Sequence, residues 1–150
     1  MLKKSIVSII DIPVSCLYSV LLDVDNYKDF LPWCKEAKIL RKLNDCLEAQ
    51  MTILFAGIEE SYVSKVFFEN KNPEDVTINI VSESDLFEFM HSSWRLQKVE
   101  DGTRATFEIS LKLKNKILDK VVSVFFSKAC NKVMQAFEAR ARTLHKTINK

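Results

Sequence analysis

The side chains that most often perform catalysis are sparse in this sequence. It has two histidines, His91 and His145, and neither has a carboxylate or thiol at a spacing that marks a catalytic triad or a metal site. Asp23 and Asp25 are close enough in sequence for a carboxylate pair, but they fall where helix caps are expected. We therefore predict no catalytic residue, no metal ligand and no catalytic cofactor.

Composition excludes several other classes of site and partner. The chain has two glycines among its 150 residues, so it has neither a glycine-rich phosphate loop nor a dinucleotide fingerprint. Its 22 basic and 20 acidic residues leave a net charge of +2, which gives no global attraction to nucleic acid, and we predict no DNA partner. No apolar run approaches the roughly 20 residues that span a bilayer.

The cysteines and the N-terminal residues bear on location. Four cysteines are scattered without the clustered spacing of a zinc site, and we interpret them as reduced thiols of a cytoplasmic protein. The N-terminal apolar run is interrupted by Ser8 and Asp11, and no small-residue cleavage site follows it. We therefore predict a strand there instead of a signal peptide.

One short stretch concentrates aromatic side chains where a helix cannot continue. The segment NYKDFLPWC carries Tyr27, Phe30, Leu31 and Trp33, and Pro32 argues against a helix that runs through it. Apolar side chains at a helix end or in a loop are hard to bury. The cluster therefore plugs the core, lines a ligand pocket, or contacts a membrane or partner, and these three alternatives stay open.

Hydrophobic periodicity predicts the elements that position this cluster. A β-branched strand over residues 5–12 is followed by a helix to about residue 24 and by a short helix, capped by Asp25 or Asn26, that ends at Pro32. Alternation with a period of two then predicts six strands, and steps of three and four predict one long helix. These elements cover residues 37–43, 47–55, 60–69, 76–80, 89–99, 105–113 and 115–148.

The order of elements predicts an α+β fold. A curved antiparallel sheet of about seven strands wraps around a long C-terminal helix, with two short helices after strand one. The long helix is the only predicted element large enough to cover the apolar face of the sheet. We expect residues 1–150 to form a single domain. The pattern resembles the helix-grip fold of the START-like and birch-pollen-allergen superfamily, in which the space between sheet and helix is a lipid-sized cavity.

Within that superfamily, four stretches resemble the coenzyme Q-binding protein family, which also contains the bacterial ribosome-association toxins. The family tends to carry Y-x-x-F-L-P-W-C after its first helices, and the segment from Tyr27 to Cys34 matches it throughout. The other matches are the strand EESYVSKV, Trp94 and the segment VMQAFEARARTLH. One departure is Ser-Asp-Leu-Phe at residues 84–87, where relatives often have Gly-Pro-Phe.

The resemblance implies a lipid-binding domain that holds a polyprenyl quinone, coenzyme Q, in a hydrophobic cavity without catalysis. It would carry or present the quinone for respiratory electron transport or quinone biosynthesis, in a bacterial cytoplasm and in peripheral contact with the inner membrane. Apolar residues in or near loops are candidates for the gate, because exposed apolar groups mark interaction sites. The predicted cavity or gate residues are Tyr27, Phe30, Leu31, Pro32, Trp33, Phe55, Tyr62, Ser64, Leu86, Phe87, Phe89, Trp94, Phe107, Phe125 and Met134.

Polar and basic side chains supply further candidates. The hydroxyls of Tyr62, Ser64, Ser92 and Ser93 either hydrogen-bond a quinone carbonyl or pair with each other and with water. A basic patch contacts an anionic membrane or a ribosome, or is an ordinary solvated surface. Its members are Lys112, Lys114, Lys116 and Lys120.

Two other functions stay open. The toxin branch implies a regulator that binds the large ribosomal subunit and blocks subunit joining, and a local basic patch is enough for that despite the near-neutral net charge. Some members of the superfamily are cyclases, so a polyketide cyclase-like enzyme is the second alternative. A cyclase needs an acid or a base inside the cavity.

Overall fold

The chain folds in the order that its sequence predicts. The computed structural model describes residues 1–148. Within them, seven strands form one sheet in which every neighbouring pair is antiparallel, and the predicted α+β fold with its long C-terminal helix is confirmed. The elements are β1 Leu2–Ile10, α1 Val14–Leu22, a 3₁₀ helix Val24–Asp29, β2 Cys34–Lys42, β3 Cys46–Phe55, β4 Ile58–Glu69, β5 Asp75–Ser82, β6 Phe87–Val99, β7 Gly102–Leu113 and α2 Lys116–Ile148.

The sheet presents one apolar face to α2. Its strands lie in the order β1-β7-β6-β5-β4-β3-β2, so β2 to β7 form consecutive hairpins and β1 pairs with β7. In β7, Ala105, Phe107 and Leu111 are buried on the inner face, while Arg104 and Glu108 are exposed on the outer face. This alternation follows from the period of two that a strand imposes on its side chains.

Strand pairing places several boundaries away from those predicted. β1 begins at Leu2, earlier than predicted, because Leu2 pairs with Leu111 of β7. β2 begins at Cys34, also earlier, because Cys34 pairs with Ile53 of β3. In both strands pairing with the partner strand determines where the strand begins, whereas the prediction used the residues of the strand alone.

The caps predicted for the second short helix are absent. This element is the 3₁₀ helix, and neither Asp25 nor Asn26 caps it. Asn26 donates its side-chain amide to the carboxylate of Asp23 at N···O distances of 2.9 and 3.0 Å. Asp25 accepts the backbone N–H of Ile39 in β2 at 3.0 Å. The predicted cap is wrong because the Asp25 carboxylate joins the helix to a strand that is distant in sequence.

A two-residue turn joins β3 to β4. Ala56 and Gly57 have φ angles of 51° and 79°, and Phe55 pairs with Ile58 across them. Two consecutive left-handed residues match the twist of a tight hairpin. The turn therefore holds the apolar side chains of Phe55 and Ile58 together at the tip of the hairpin.

The two halves of α2 are held differently. In the C-terminal half, Ala141 is fully buried, its carbonyl oxygen lies 3.6 Å from Cys16 Sγ, and Arg142 pairs with Asp11. In the first half, Ile117 and Val124 expose 78% and 75% of their surface. α1 and β1 thus anchor the end of the helix, while its beginning lies over the sheet with space beneath it.

Candidate functional site

A cavity of about 320 Å³ lies between the inner face of the sheet and the first half of α2. The inward residues of β3, β4, β6 and β7 form its wall, and the apolar stripe of α2 forms its roof. Nearly all of its lining side chains are apolar. Because inward residues recur every second position in the strands and every third or fourth in the helix, the local periodicity itself builds this surface.

Large aromatic residues close one end of the cavity. Phe137 of α2 contacts Tyr27 and Trp94 edge to face, with ring centroids 5.4 Å apart in both pairs. Trp94 stacks on Phe107 with centroids 4.6 Å apart. The hydroxyl of Tyr27 donates a hydrogen bond to the carbonyl of Leu21, so this buried ring is fixed at both ends. These contacts join the aromatic rings of the closed end into one packed cluster.

Three elements meet at the other end, which we call the mouth. Trp33, just before β2, contacts Phe55 of β3 with ring centroids 5.3 Å apart, and Phe55 contacts Phe125 of α2 at 5.6 Å. Trp33 has a φ of 63°, and its carbonyl accepts the backbone N–H of Leu54 at 2.9 Å. Phe125 is 47% exposed, so the mouth borders solvent.

The hydroxyl groups of the cavity wall are neutral. Ser64 and Ser92 are buried on the inner face, and their hydroxyls have no hydrogen-bond partner among the described residues. The Tyr62 hydroxyl donates only to the weak acceptor Met51 Sδ, at 3.5 Å. The wall therefore offers hydrogen-bond donors to an uncharged ligand that carries acceptor oxygens.

The tyrosine hydroxyls and the buried thiol of the lining stay protonated near neutral pH. Burial raises the pKa of the Tyr62 and Tyr27 hydroxyls well above their usual range, and it raises the pKa of the Cys130 thiol to about 11. Glu60 is the carboxylate among the described lining residues, and it is exposed. The described lining thus contains no buried carboxylate and no histidine.

The family profile described as polyketide cyclase / dehydrase and lipid transport matches residues 10–138. The chain belongs to this family. The span matched includes the wall and mouth of the cavity and ends just after Phe137. The resemblance predicted from the sequence is therefore confirmed at the level of the family.

Curated relatives within the polyketide cyclase / dehydrase and lipid transport family carry two kinds of name. The chain is 32% identical over 130 residues to the ribosome association toxin RatA of Rickettsia prowazekii, covering 87% of this chain and 89% of the relative. It is 29% identical over 142 residues to the mitochondrial coenzyme Q-binding protein COQ10 of Dictyostelium discoideum, covering 91% of this chain and 67% of the relative.

The fold is shared with solved structures at low sequence identity. The STAR-related lipid transfer protein of Xanthomonas axonopodis superposes with a TM-score of 0.84 at 11% identity, over 93% of this chain and 85% of the other. Agreement at that identity concerns the fold alone. The chain therefore combines a START-like fold with membership of the polyketide cyclase / dehydrase and lipid transport family.

Most of the predicted cavity and gate residues of this family member line one space. Phe30 lies behind the lining, where it packs on Tyr27 and Phe137 with the Arg140 guanidinium 5.2 Å from its ring centroid. Met134 is buried in the core outside the lining. Those that contact the cavity are Tyr27, Leu31, Pro32, Trp33, Phe55, Tyr62, Ser64, Leu86, Phe87, Trp94, Phe107 and Phe125.

A bulge in β6 turns Phe89 outward. The pairing with β7 shifts register between Phe87 and Phe89, so Phe87 and Met90 are buried while Phe89 is 38% exposed. Ser93 also lies on the outer face, beside the exposed residues His91 and Glu108. Phe89 and Ser93 therefore do not reach the cavity, because an extra residue in one strand reverses the face that follows it.

Some lining residues were not among the predicted site residues. These residues occupy inward-facing positions of the same strands and helix. An inward-facing apolar position is typical both of core packing and of a cavity wall. Since only the gap beneath α2 distinguishes the two, the sequence alone does not separate them. They include Met51, Ile53, Ile109, Leu118, Val122, Ala129 and Cys130.

The predicted basic patch divides into two parts. Lys112 pairs with Glu88 at 3.3 Å and Lys114 pairs with Asp85 at 3.8 Å. Lys116 and Lys120 begin α2 and are exposed, without an ion pair in the described chain. The positive charge of the patch that is not paired with a carboxylate therefore lies at the start of α2 and not at the end of β7.

Two kinds of feature are absent from the described residues. Among residues 1–148, no three His, Cys, Asp or Glu side chains are grouped as a metal cluster. None of the helices in that range is long and apolar enough to cross a bilayer.

Proposed function

We propose that residues 1–150 act as a single ligand-binding domain for a polyprenyl quinone, which they carry or present for respiratory electron transport or quinone biosynthesis. The observation that carries this proposal is the apolar cavity with the unpaired hydroxyls of Ser64 and Ser92 in its wall, closed at one end by aromatic rings and bordering solvent at the other. The similarity to a coenzyme Q-binding protein supports the ligand class.

The polar groups fit the ring of a quinone. A quinone carries two opposed carbonyl acceptors and no charge, and the hydroxyls of Ser64, Ser92 and Tyr62 are donors on the cavity wall. A hydrogen bond of this kind contributes about 1 kcal/mol. The ring therefore lies inside the cavity, against the sheet.

The size of the cavity fits only part of such a ligand. About 320 Å³ is at the lower end of the volumes of small-molecule pockets. The ring and the start of its tail fill that space, and the remaining tail leaves through the mouth. Each buried methylene gains about 0.8 kcal/mol relative to water, but little relative to a bilayer. The protein thus exchanges its ligand with a membrane instead of trapping it.

A cavity-filling variant tests this proposal. Ala129 lines the cavity, whereas Ala139 is exposed on the same helix. Binding of a short-tailed quinone is measured by quenching of tryptophan fluorescence, since Trp33 and Trp94 both line the cavity. We expect Ala129→Phe to weaken binding at least tenfold and the matched control Ala139→Phe to leave it unchanged. Equal binding by both variants contradicts the proposal.

The similarity to a ribosome association toxin supports a second candidate function, binding to the large ribosomal subunit. Cosedimentation with purified large subunits at moderate salt separates the two candidates. A ribosome binder cosediments regardless of Ala129→Phe, whereas a quinone binder without ribosomal function stays in the supernatant.

A further inference from the structure

The outer face of the first half of α2 is apolar. Ile117 and Val124 expose 78% and 75% of their surface, and Phe125 exposes 47%. Val121 lies between them, since positions 117, 121, 124 and 125 recur at helical spacing on one side. No described element of the chain covers this side. A large exposed apolar stripe of this kind marks an interaction surface.

Positive charge surrounds the stripe. Asp119 is the only acidic residue between positions 116 and 137, and it is turned inward, where it accepts the backbone N–H of Leu113 at 3.1 Å. The lysines of this half of the helix are exposed and form no ion pair within residues 1–148. They are Lys116, Lys120, Lys128 and Lys132.

The stripe is continuous with the mouth of the cavity. Phe125 belongs to both, because its ring contacts Phe55 at the mouth. Leu54, beside Phe55, is 45% exposed, and the Lys132 ammonium lies 5.8 Å from the Trp33 ring centroid. The basic and apolar groups of α2 therefore border the opening of the cavity.

We propose that this surface, the outer side of residues 116–132 together with the tip of the β3–β4 hairpin, docks onto the surface of an anionic lipid bilayer. Exposed apolar side chains insert among the lipids while flanking lysines contact the headgroups. Lysine is depleted in the core of protein interfaces, which argues against a protein partner. RNA recruits lysines but gains little from an isoleucine and a valine.

Docking by this surface sets the mouth against the membrane. A ligand tail too long for the cavity then stays in the bilayer while the ring enters the protein. That use of the surface rests on the proposed quinone function, but the docking itself rests only on the exposed side chains and lysines of α2.

Vesicle sedimentation without quinone tests the docking. The full chain is mixed with vesicles of phosphatidylcholine alone or with an equal amount of phosphatidylglycerol. We expect binding to the anionic vesicles, weakened about 25-fold in Lys120→Gln/Lys128→Gln, at about fivefold for each lysine. The matched control Lys38→Gln/Lys42→Gln removes exposed lysines of β2 and should bind like the wild type.

A second pair of variants tests insertion. Ile117→Gln/Val124→Gln changes exposed helical positions, so the fold is retained, and binding should fall at least tenfold. Its control, Val7→Thr/Ile9→Thr, changes residues of β1 that are 59% and 61% exposed on the outer face of the sheet. Equal vesicle binding by all variants overturns the proposal. The proposal is also overturned if the protein binds no vesicles but binds ribosomal RNA, and the same lysine substitutions abolish the RNA binding.

Because these vesicles hold no quinone, docking and ligand binding fail separately. If the protein docks onto vesicles but never binds quinone, the docking proposal stands and the proposed function is wrong. If it binds quinone in detergent but does not bind anionic vesicles, the proposed function stands and the docking proposal is wrong.

Discussion

Phe55 and Phe125 meet edge to face across the mouth of the cavity, with ring centroids 5.6 Å apart and ring planes inclined at 69°. The contact joins the β3–β4 hairpin to the half of α2 that is least anchored. Since Phe55 also contacts Trp33, one ring links the three elements that surround the opening. Any ligand that enters from this side has to displace or pass these rings.

Removal of Phe55 should therefore speed exchange of the ligand. An aromatic pair contributes about 0.5–1.5 kcal/mol beyond its buried area, so Phe55→Ala should raise the rate of quinone release about three- to tenfold. Release is followed by stopped-flow recovery of tryptophan fluorescence when loaded protein meets empty vesicles. Phe67→Ala removes a phenylalanine that is 42% exposed on β4 and serves as the control. An unchanged rate in Phe55→Ala excludes a gate at this position.

Substitution of Trp94 should mainly reduce stability, whereas substitution of Trp33 should mainly reduce binding. Trp94 is 4% exposed and contacts Phe107 and Phe137, so Trp94→Ala should lower the free energy of unfolding by about 3–5 kcal/mol. Trp33→Ala removes one edge-to-face contact at the mouth and should lower it by only about 1 kcal/mol, while weakening ligand or membrane binding. Urea denaturation and binding titrations measure both. If Trp33→Ala unfolds the protein and the folded fraction binds normally, Trp33 belongs to the core.

The two glycines form a matched pair for backbone packing. A Cβ at Gly102 would collide with the carbonyl oxygen of Ile10, where β1 ends beside the β6–β7 turn, and its φ is 154°. A Cβ at Gly57 meets no atom within 4 Å, although its φ of 79° is left-handed. We expect Gly57→Ala to cost about 1 kcal/mol of unfolding free energy and Gly102→Ala clearly more. Equal losses in urea denaturation would contradict the close approach of β1.

The ion pair between Arg95 and Asp75 should make stability depend on pH. Arg95 donates two hydrogen bonds to the Asp75 carboxylate, at 3.0 and 2.8 Å, and lowers the pKa of that carboxyl below its ordinary value of 3.8. A carboxyl with a lowered folded pKa stabilises the fold above its unfolded pKa and loses this effect as pH falls through the folded value.

The stability difference between wild type and Asp75→Asn should accordingly be present at neutral pH and disappear in acid. Urea denaturation from about pH 7 down to about pH 2 measures it. Arg104→Gln, an exposed substitution on β7, controls for general effects of charge. A difference that persists at the acid end contradicts the role of the ion pair.

The fold was predictable because hydrophobic periodicity within each element determines which of its faces must be buried. Alternation in β7 and the stripe of α2 each define one apolar face, and an antiparallel sheet and a long helix have few ways to bury both. The 3₁₀ helix and its missing cap were not predictable, because the Asp25 carboxylate finds its partner at Ile39 in β2.

Most of the predicted site residues do line the cavity, but the sequence did not predict where its boundary lies. The aromatic motif from Tyr27 to Trp33 leads into both the closed end and the mouth, yet the outward turn of Phe89 depends on a bulge that only the pairing with β7 creates. The exposed stripe at Ile117 and Val124 has the same helical spacing as the buried stripe beside it. Only packing against the sheet decides which of the two faces solvent.

The lipid content of the purified protein tests most directly whether the cavity binds a quinone. Wild type and Ala129→Phe are purified without detergent from a quinone-producing bacterium, extracted with organic solvent and analysed by mass spectrometry. We expect polyprenyl quinone in the wild-type extract and little or none in that of Ala129→Phe. A wild-type protein that never carries quinone, and takes up none from quinone-loaded vesicles, would contradict the proposed function.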